Sequence, residues 1–352
     1  MFKLIYEDGN KRIGVLKSNI SIETPIFLPV ATKGVIKTIL PKEAWDAGTR
    51  AIIVNALHIY MKAFDIVKKN GLHNFMKWNG IIFTDSGGFQ SIKKFPVKIS
   101  DEGIVFKKDG KEEIFTPQKS IEVQKEIGSD FIFMLDDCPS YPYSRRRIEK
   151  AIERTIEWAR KSQGEKNFAI LQGGIYEDLR LKCIDEIKKL NFFGYAIGGL
   201  SIGEPKEEMH RIVKITTKNL PKEKPRHLMG VGSPEDIIEG VKNGIDIFDS
   251  AFPTRNARHG TIFTTHGKIN LKKAHGDFID EECDCYTCKN FSLDYLSYLY
   301  KEKEMLAMRL ATIHNIRYMN RLMDRIREEI RNDGNLDKLK IEFGISADNF
   351  FH

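Results

Sequence analysis

Eight short apolar runs recur between residues 26 and 248, and most of them are followed by a stretch with helical character. The runs cover residues 26–30, 51–54, 81–83, 131–135, 168–171, 195–197, 227–229 and 245–248. Buried strands that alternate with helices indicate a parallel sheet with helical crossovers. Because eight such strands can close on themselves, we predict an α/β fold of the (β/α)8 TIM-barrel type, with a doubly wound open sheet as the structural alternative.

Local signals mark where several of the helices begin. Pro117 and Pro234 stand in the first turn of two predicted helices, and a glycine follows the end of each. A third helix begins at Ser144 and carries an apolar stripe that includes Ile148 and Ile152. Proline near the start and glycine past the end are typical helix boundaries, so these signals support the alternation of strand and helix.

Three parts of the chain depart from this alternation. Residues before 26 read as short strands with a turn at Gly9, and the segment 91–116 contains an alternating piece that predicts an inserted β-hairpin. From residue 271 a cysteine cluster appears, followed by a long helical region from 292 to about 330. We therefore divide the chain into a catalytic barrel with N-terminal strands (1–270), a zinc-binding helical subdomain packed on it (271–335) and a tail (336–352).

Composition narrows the class of protein. With 41% hydrophobic and 30% charged residues, the chain can bury a sizeable core, and no stretch approaches the roughly 20 apolar residues of a membrane span. The N-terminus lacks the pattern of a secretion signal, so we expect a cytoplasmic protein with no membrane association. A net charge of +7 is compatible with a nucleic-acid partner, although a solvated lysine-rich surface explains the charge equally well.

Polar residues and glycines follow the predicted strands at the point where each strand ends. Asp85, Asp136, Gln172 and Asp249 occupy such positions. Active sites of these barrels lie at the carboxyl ends of the strands, so three carboxylates are predicted to meet at one mouth. A single Asp could be a helix N-cap, but four strands ending this way favour a site. Mutual repulsion would raise at least one pKa, and a carboxylate nucleophile acting at a sugar C1 carbon or a phosphoryl group fits best.

The cysteines point to a metal. Cys283, Cys285 and Cys288 form a C-x-C-x-x-C cluster, and a closed tetrahedral zinc site needs a fourth ligand. His314, on the helix that follows, is the natural candidate, with His266 and His275 as rivals. Four protein ligands would make the single zinc ion structural, since no position would remain for water.

Several motifs in consistent order resemble those of the tRNA-guanine transglycosylases, in particular the bacterial type. They are TDSGGFQ at 84–90, LQGG at 171–174, GGLSIGE at 198–204, FDSAFPTRNAR at 248–258 and the cysteine cluster followed by TIHN at 312–315. The resemblance runs from about residue 27 to residue 330. It implies a (β/α)8 barrel with a zinc subdomain, one zinc held by Cys283, Cys285, Cys288 and His314, and a homodimer formed through the zinc region.

The resemblance also implies an activity, which is the replacement of guanine at the wobble position of tRNAs with GUN anticodons by a 7-deazaguanine, in queuosine biosynthesis. Asp249 would attack C1′ of the ribose and form a covalent intermediate, and Asp85 would act as general acid and base. The remaining implied contacts to the base come from Ser86, Phe89, Asp136, Gln172, Gly199, Leu200 and Met229. Arg255 and Arg258, just after the nucleophile, suit phosphates beside the target base.

Departures from the family pattern concern the neighbours of the site. Bacterial members usually carry Asn-Thr-Tyr-His where this chain reads NALH at 55–58, and many carry Glu at the position of Asp137. Ile202 is bulky where the queuine-using eukaryotic enzymes have glycine. Together with Cys138 it favours the smaller 7-aminomethyl-7-deazaguanine (preQ1) as the incoming base, with queuine as the alternative.

Three other functions compete with this interpretation. The archaeal branch modifies the D-loop but carries further C-terminal RNA-binding domains, for which this sequence leaves no room. A non-catalytic partner subunit should lack its aspartates, whereas Asp85 and Asp249 are present. A barrel enzyme acting on a small phosphorylated metabolite could use GVGS at 230–233 for phosphate, but the predicted zinc site and Arg255 argue against it.

Overall fold

The computed structural model describes residues 1–88, 98–108 and 110–345. In chain order the strands are β1 Phe2–Asp8, β2 Lys11–Lys17, β3 Ser21–Thr24, β4 Ile26–Pro29, β5 Ala51–Asn55, β6 Ile81–Asp85, β7 Lys98–Ile99, β8 Ile104–Lys108, β9 Lys111–Phe115, β10 Phe131–Phe133, β11 Gly164–Leu171, β12 Phe192–Ile197, β13 Arg226–Leu228, β14 Ile247–Ser250, β15 Thr261–Thr264 and β16 Gly267–Asn270. The helices are α1 Pro41–Asp46, α2 Ala56–Lys62, α3 Phe64–Met76, α4 Pro117–Glu126, α5 Arg145–Arg160, α6 Glu177–Ile187, α7 Lys206–Lys218, α8 Pro234–Lys242, α9 Phe252–Arg258, α10 Tyr286–Asn290, α11 Leu293–Lys301, α12 Met305–Arg331 and α13 Lys338–Glu342.

Eight parallel strands form the centre of the fold, and they lie in space in the order of the chain: β4, β5, β6, β10, β11, β12, β13 and β14. The sheet closes because β14 pairs with β4 in parallel, with Phe248 opposite Phe27. On its other side β4 continues into a parallel bridge between Val30 and Ile53 of β5. The predicted (β/α)8 barrel is therefore confirmed, and the doubly wound open sheet is not formed.

Aromatic side chains fill the interior of the barrel. Phe83, Phe133 and Phe168 come from three different strands and are fully buried. Their ring centroids lie 6.1 Å apart for Phe83 and Phe133 and 5.0 Å apart for Phe133 and Phe168. Alternate side chains of a strand point to opposite faces, so these phenylalanines point inwards while the residues next to them on each strand point outwards. The interior is a packed core below the mouth.

The predicted helix starts are confirmed by their caps. The hydroxyl groups of Thr116, Ser144 and Ser233 accept hydrogen bonds from backbone N–H groups three residues further on, at 3.1, 3.3 and 3.2 Å. These bonds satisfy N–H groups that have no partner within the first turn of a helix. Helix α5 ends at Arg160, and β11 begins at Gly164.

The inserted β-hairpin is present in the described residues. Strands β8 and β9 pair antiparallel, with Ile104 opposite Phe115, and β7 adds a short third strand. Residues 91–97 and 109 of the predicted insertion lie outside the described residues. The N-terminal strands β1, β2 and β3 form a separate antiparallel sheet with Gly9 at a positive φ of 59° in the first turn.

The helical region after the cysteines consists of two helices, α11 and α12, where the sequence pattern indicated one continuous stretch. The chain leaves the helical conformation between them, at Lys303, whose φ is +61°. Helix α12 then packs against the outside of the barrel, and Tyr318, Met319 and Leu322 are fully buried there. Beyond it, Leu339 and Phe343 are also buried, so residues up to 345 pack on the same surface.

Among the described residues, no helix combines the length and the apolar character that crossing a bilayer requires. The division into residues 1–270, 271–335 and 336–352 remains a prediction, since the barrel and the helices after residue 271 share apolar clusters.

Candidate active site and metal centre

The mouth of the barrel holds a cavity of about 140 Å³ at the carboxyl ends of the strands. Asp85 at the end of β6, Asp136 after β10 and Asp249 within β14 all line it. The structure thus brings together the three carboxylates that the strand ends indicated. Other predicted residues that line this cavity are Ser86, Gly199, Leu200 and Met229. Phe89 lies outside the described residues.

Asp136 and Gln172 form a deeply buried polar pair in the site. Gln172 Nε2 donates a hydrogen bond of 2.6 Å to Asp136 Oδ2, and Gln172 is 1% exposed. Gln172 Oε1 is buried and accepts no hydrogen bond from the described residues. A buried amide oxygen without a donor is costly, so it is suited to accept a hydrogen bond from a ligand.

Burial raises the pKa of Asp136 to about 7, because the charged form loses its solvation. The hydrogen bond from Gln172 opposes this shift, and the nearby charge of Asp137 adds to it. Asp137 itself is fully buried, and Arg147 Nη1 donates to it at 2.9 Å. This arrangement separates the roles of two adjacent carboxylates, since Asp137 is held in an ion pair and Asp136 faces the cavity.

Asp137 also connects the inserted hairpin to the site. Arg154 bonds to Asp137 and, at 2.7 Å, to Asp101 in the turn before β8. The indole nitrogen of Trp158 donates to the Asp101 carbonyl at 2.8 Å. The wall behind Asp136 is therefore tied to the insertion by two side chains of α5, the partly buried Arg154 and the fully buried Trp158.

Two groups contact the same carboxylate oxygen of Asp249. Its Oδ1 lies 2.8 Å from His227 Nε2 and accepts a 3.2 Å hydrogen bond from the backbone N–H of Gly230. His227 was not singled out from the sequence, where it stands first in the apolar run 227–229. The only available signal was a polar residue at an inward position of a buried strand. Elsewhere at the mouth, Asn55 lies opposite Asp85 in the sheet. Its side-chain oxygen accepts a 2.7 Å hydrogen bond from the His58 N–H and so caps the start of α2.

Arg180 is a second residue that the sequence did not reveal. Its guanidinium is fully buried on α6 and donates to the carbonyls of Leu171, Gly198 and Gly174 at 2.7, 3.0 and 2.9 Å. Burial lowers its pKa to about 10. These carbonyls belong to the segments after β11 and β12 that carry Gln172 and Gly199, so Arg180 holds both segments in place.

Arg255 and Arg258 lie on α9, directly after the strand that carries Asp249. Arg255 is exposed, and Arg258 Nη1 donates to the Thr254 carbonyl at 2.8 Å. Burial lowers the pKa of Arg258, and the charge of Arg255 contributes. Neither guanidinium forms an ion pair with a carboxylate in the described part of the chain, so both remain available to an anion.

Cys283, Cys285, Cys288 and His314 form a group whose ligand atoms lie within 4.8 Å of one another, and it could hold one metal ion. His314 Nδ1 is 3.2 Å from Cys288 Sγ, and His314 Nε2 donates to the Phe263 carbonyl at 2.6 Å. Placing the proton on Nε2 leaves the Nδ1 lone pair for a metal, and such outer hydrogen bonds orient metal-binding histidines. His275 is exposed, and neither it nor His266 belongs to the group.

Comparison with known proteins decides the family. The sequence signature of "Queuine tRNA-ribosyltransferase" matches residues 8–347. The chain belongs to the queuine tRNA-ribosyltransferase family. Members of this family are transferases, so the chain is identified as an enzyme of the pentosyltransferase class.

Relatives with this name align along nearly their whole length. The protein from Thermoanaerobacter sp. (strain X514) is 48% identical over 351 residues, which cover 94% of both chains. That from Caldanaerobacter subterraneus subsp. tengcongensis is 47% identical over 361 residues, covering 97% of this chain and 96% of the relative. The Vibrio cholerae serotype O1 (strain M66-2) protein is 42% identical over 360 residues, covering 97% and 95%. The queuine tRNA-ribosyltransferase match extends through the cysteine cluster as well as the barrel.

Proposed function

We propose that this enzyme exchanges guanine at the wobble position of GUN-anticodon tRNAs for preQ1 through a covalent Asp249–ribose intermediate. The observation that carries the proposal is the convergence of Asp85, Asp136 and Asp249 on one cavity at the mouth of the barrel. Two carboxylates beside one sugar carbon can divide nucleophilic and acid–base roles, as in retaining glycosidases. Membership in the family supplies the reaction class.

The first half of the reaction removes the old base. A wobble base must leave the stack of the anticodon loop to enter the cavity. Asp249 then forms a bond from a carboxylate oxygen to C1′ while the bond from C1′ to guanine N9 breaks. Asp85, in its protonated form, gives its proton to the departing guanine. The products are free guanine and an ester between Asp249 and the ribose.

The second half installs the new base. The Asp85 carboxylate takes a proton from the incoming base, whose N9 attacks C1′ and releases Asp249 as a carboxylate. Two displacements at the same carbon retain its configuration. Asp85 ends protonated and Asp249 ionised, so the enzyme returns to its starting state.

Recognition of the base is assigned to the floor and walls of the cavity. Asp136 accepts N–H groups of the base edge, Gln172 and the backbone of Gly199 complete the hydrogen bonds, and Met229 covers one ring face. Gln172 Oε1, which has no donor among the described residues, supports this role. Phe89 is proposed for the other ring face, Ser86 assists beside Asp85, and the Leu200 carbonyl meets the side arm.

The preference for preQ1 rests on the cavity wall that would face this side arm. Ile202 and Cys138 both line the cavity near Leu200, and an isoleucine there leaves less room than a glycine. We therefore propose the smaller aminomethyl arm over the bulky arm of queuine. Faster incorporation of labelled queuine than of labelled preQ1 would reverse this assignment.

The Cys3His group is proposed to hold one structural zinc ion. The Cys3His set matches the soft, tetrahedral donors of structural zinc, and zinc there would tie the cysteine segment to α12.

Arg255 and Arg258 are proposed to contact phosphates beside the target nucleotide, since both lack a carboxylate partner in the residues described. Exposed apolar side chains near the cysteines, including Tyr286 and Met305, support a homodimer through this region.

The decisive experiment measures exchange of labelled guanine into a GUN-anticodon tRNA by the wild type and by Asp249→Asn. We expect exchange, and a protein–tRNA adduct that survives denaturation, only with the wild type. Asp185→Asn, an exposed carboxylate on α6, is the matched control and should be fully active. A tRNA with another anticodon should not react. Full exchange by Asp249→Asn would refute the nucleophile, and no exchange by the wild type would refute the function.

A further inference from the structure

His227 is a polar side chain that β13 places against the phenylalanines of the barrel interior. It lies at the middle of β13 and is fully buried. Its ring meets those of Phe133, Phe83 and Phe168 edge to face, with centroid distances of 5.0, 6.3 and 6.5 Å. A buried polar group in an apolar core is costly unless a hydrogen bond compensates it. The identity of this residue therefore needs an explanation beyond packing.

The surroundings of the His227 ring indicate which of its two nitrogens carries the proton. Nε2 lies 2.8 Å from Asp249 Oδ1, whereas Nδ1 is buried and has no hydrogen-bond partner among the residues that the structure describes. A proton on Nδ1 would be left unsatisfied among phenylalanine rings, and a bare Nε2 would face a carboxylate oxygen. The tautomer protonated on Nε2 avoids both problems. His227 thus donates to Asp249.

Two donors meet at the same carboxylate oxygen. The Nε2–H of His227 and the N–H of Gly230 both point to Oδ1, and neither contacts Oδ2. Asp249 lines the cavity, and no group in the described ranges donates a hydrogen bond to its Oδ2. The two oxygens of one carboxylate are therefore distinguished, one as an anchor and the other as the atom available to a substrate.

We propose that His227 is a positioning residue for the covalent chemistry, which fixes Asp249 through Oδ1 so that Oδ2 forms the bond to C1′. This inference rests on the proposed function. In the first displacement the fixed carboxylate approaches C1′ at a defined angle as the bond to guanine breaks. In the second, Oδ2 leaves C1′ and the negative charge returns to the carboxylate, where the His227 and Gly230 donors stabilise it.

The proposal predicts that His227 affects the rate of the displacement steps and not the affinity for the base. His227 does not line the cavity, so its replacement should leave the affinity for the free base unchanged. Loss of orientation by about an ångström costs on the order of 100-fold in rate. Because the donors stabilise the departing carboxylate, their loss should also slow the second displacement, and the covalent adduct should form a larger share of the enzyme.

His227→Leu and His227→Gln provide the matched pair, since leucine suits the phenylalanine surroundings and glutamine retains an N–H donor near the Nε2 position. We expect kcat for guanine exchange to fall about 100-fold in His227→Leu, with an unchanged Kd for guanine and an unlowered Tm. His227→Gln should regain at least a tenth of wild-type kcat. The denaturation-resistant adduct at steady state should rise in His227→Leu. If His227→Leu does not fold, His227→Met takes its place as the apolar variant.

The outcomes are distinct. A folded His227→Leu or His227→Met enzyme with kcat within about threefold of the wild type overturns the proposal, as does an equal loss in His227→Gln. A loss that falls on guanine Kd or on Tm instead of kcat also overturns it, because a packing role would produce that pattern. An inactive wild type refutes the proposed function and this inference together, whereas an active wild type with unaffected variants refutes only the inference.

Discussion

Gln172 Nε2 donates a 2.6 Å hydrogen bond to Asp136 Oδ2, and this contact joins the ends of two neighbouring barrel strands at the floor of the cavity. The amide can donate to the carboxylate only with its Nε2 side, so this contact fixes which way the amide is turned and leaves the buried Oε1 next to Gly199. The orientation of Asp136 and Gln172 is thus set before any ligand arrives. Such preorganisation limits the conformational cost of binding.

Guanine binding should depend on pH through Asp136. Burial raises the pKa of this carboxyl to about 7, so the carboxylate that is proposed to accept the base N–H groups is present above pH 7 and is lost as the pH falls. We expect guanine Kd, measured by calorimetry, to rise about tenfold for each pH unit below 7. Asp136→Asn should bind weakly with no such dependence. A flat profile in the wild type, or the same slope in Asp136→Asn, would contradict this assignment.

Gly199→Ala should impair the base site through Gln172. Gly199 has a φ of +68°, and a Cβ there would lie 2.3 Å from Gln172 Oε1. We expect KM for the base to rise about tenfold or more, the cost of roughly one hydrogen bond. Gly9→Ala is the control, since Gly9 has a φ of +59° and a Cβ added there would meet no atom within 4 Å. Equal KM values for the two variants would show that the steric contact does not matter.

Replacing Arg180 should lower both stability and base affinity. Arg180→Met would leave the carbonyls of Leu171, Gly174 and Gly198 without their buried donor. We expect the free energy of unfolding in urea to fall by about 3 kcal/mol and KM for the base to rise. Arg160→Met, which removes a partly exposed arginine paired with Glu186, should change stability by less than about 1 kcal/mol. Similar losses in the two variants would contradict the role given to Arg180.

Metal content should depend on the Cys3His group. We expect one zinc per wild-type chain by elemental analysis, and well below one in Cys288→Ser, because three donors bind zinc more weakly than four. Chelation should lower Tm, and added zinc should restore it. Cys183→Ser, which removes a buried cysteine outside the group, should retain one zinc. A stoichiometry that stays at one in Cys288→Ser would show that the ligand set is wrong.

Much of the fold and the candidate site could be predicted from local patterns. The eight apolar runs coincide with the barrel strands because residues buried on both faces of a parallel strand must be apolar. Polar residues after these runs lie at one mouth because parallel strands end on the same side. The cysteine cluster was recognisable because its spacing is local. The break between α11 and α12 was missed, since it depends on one residue, Lys303, in a left-handed conformation.

What the sequence determined by itself was the alternation of elements, the carboxylates at the strand ends and the cluster of three cysteines, all set by neighbours along the chain. Tertiary structure alone decided the hydrogen-bond partners of His227 and Arg180. These partners, Asp249 in one case and the carbonyls of Leu171 and Gly198 in the other, lie in or directly after strands that become neighbours only when the sheet forms. A buried hydrogen bond depends on distance in space, which spacing along the chain does not encode.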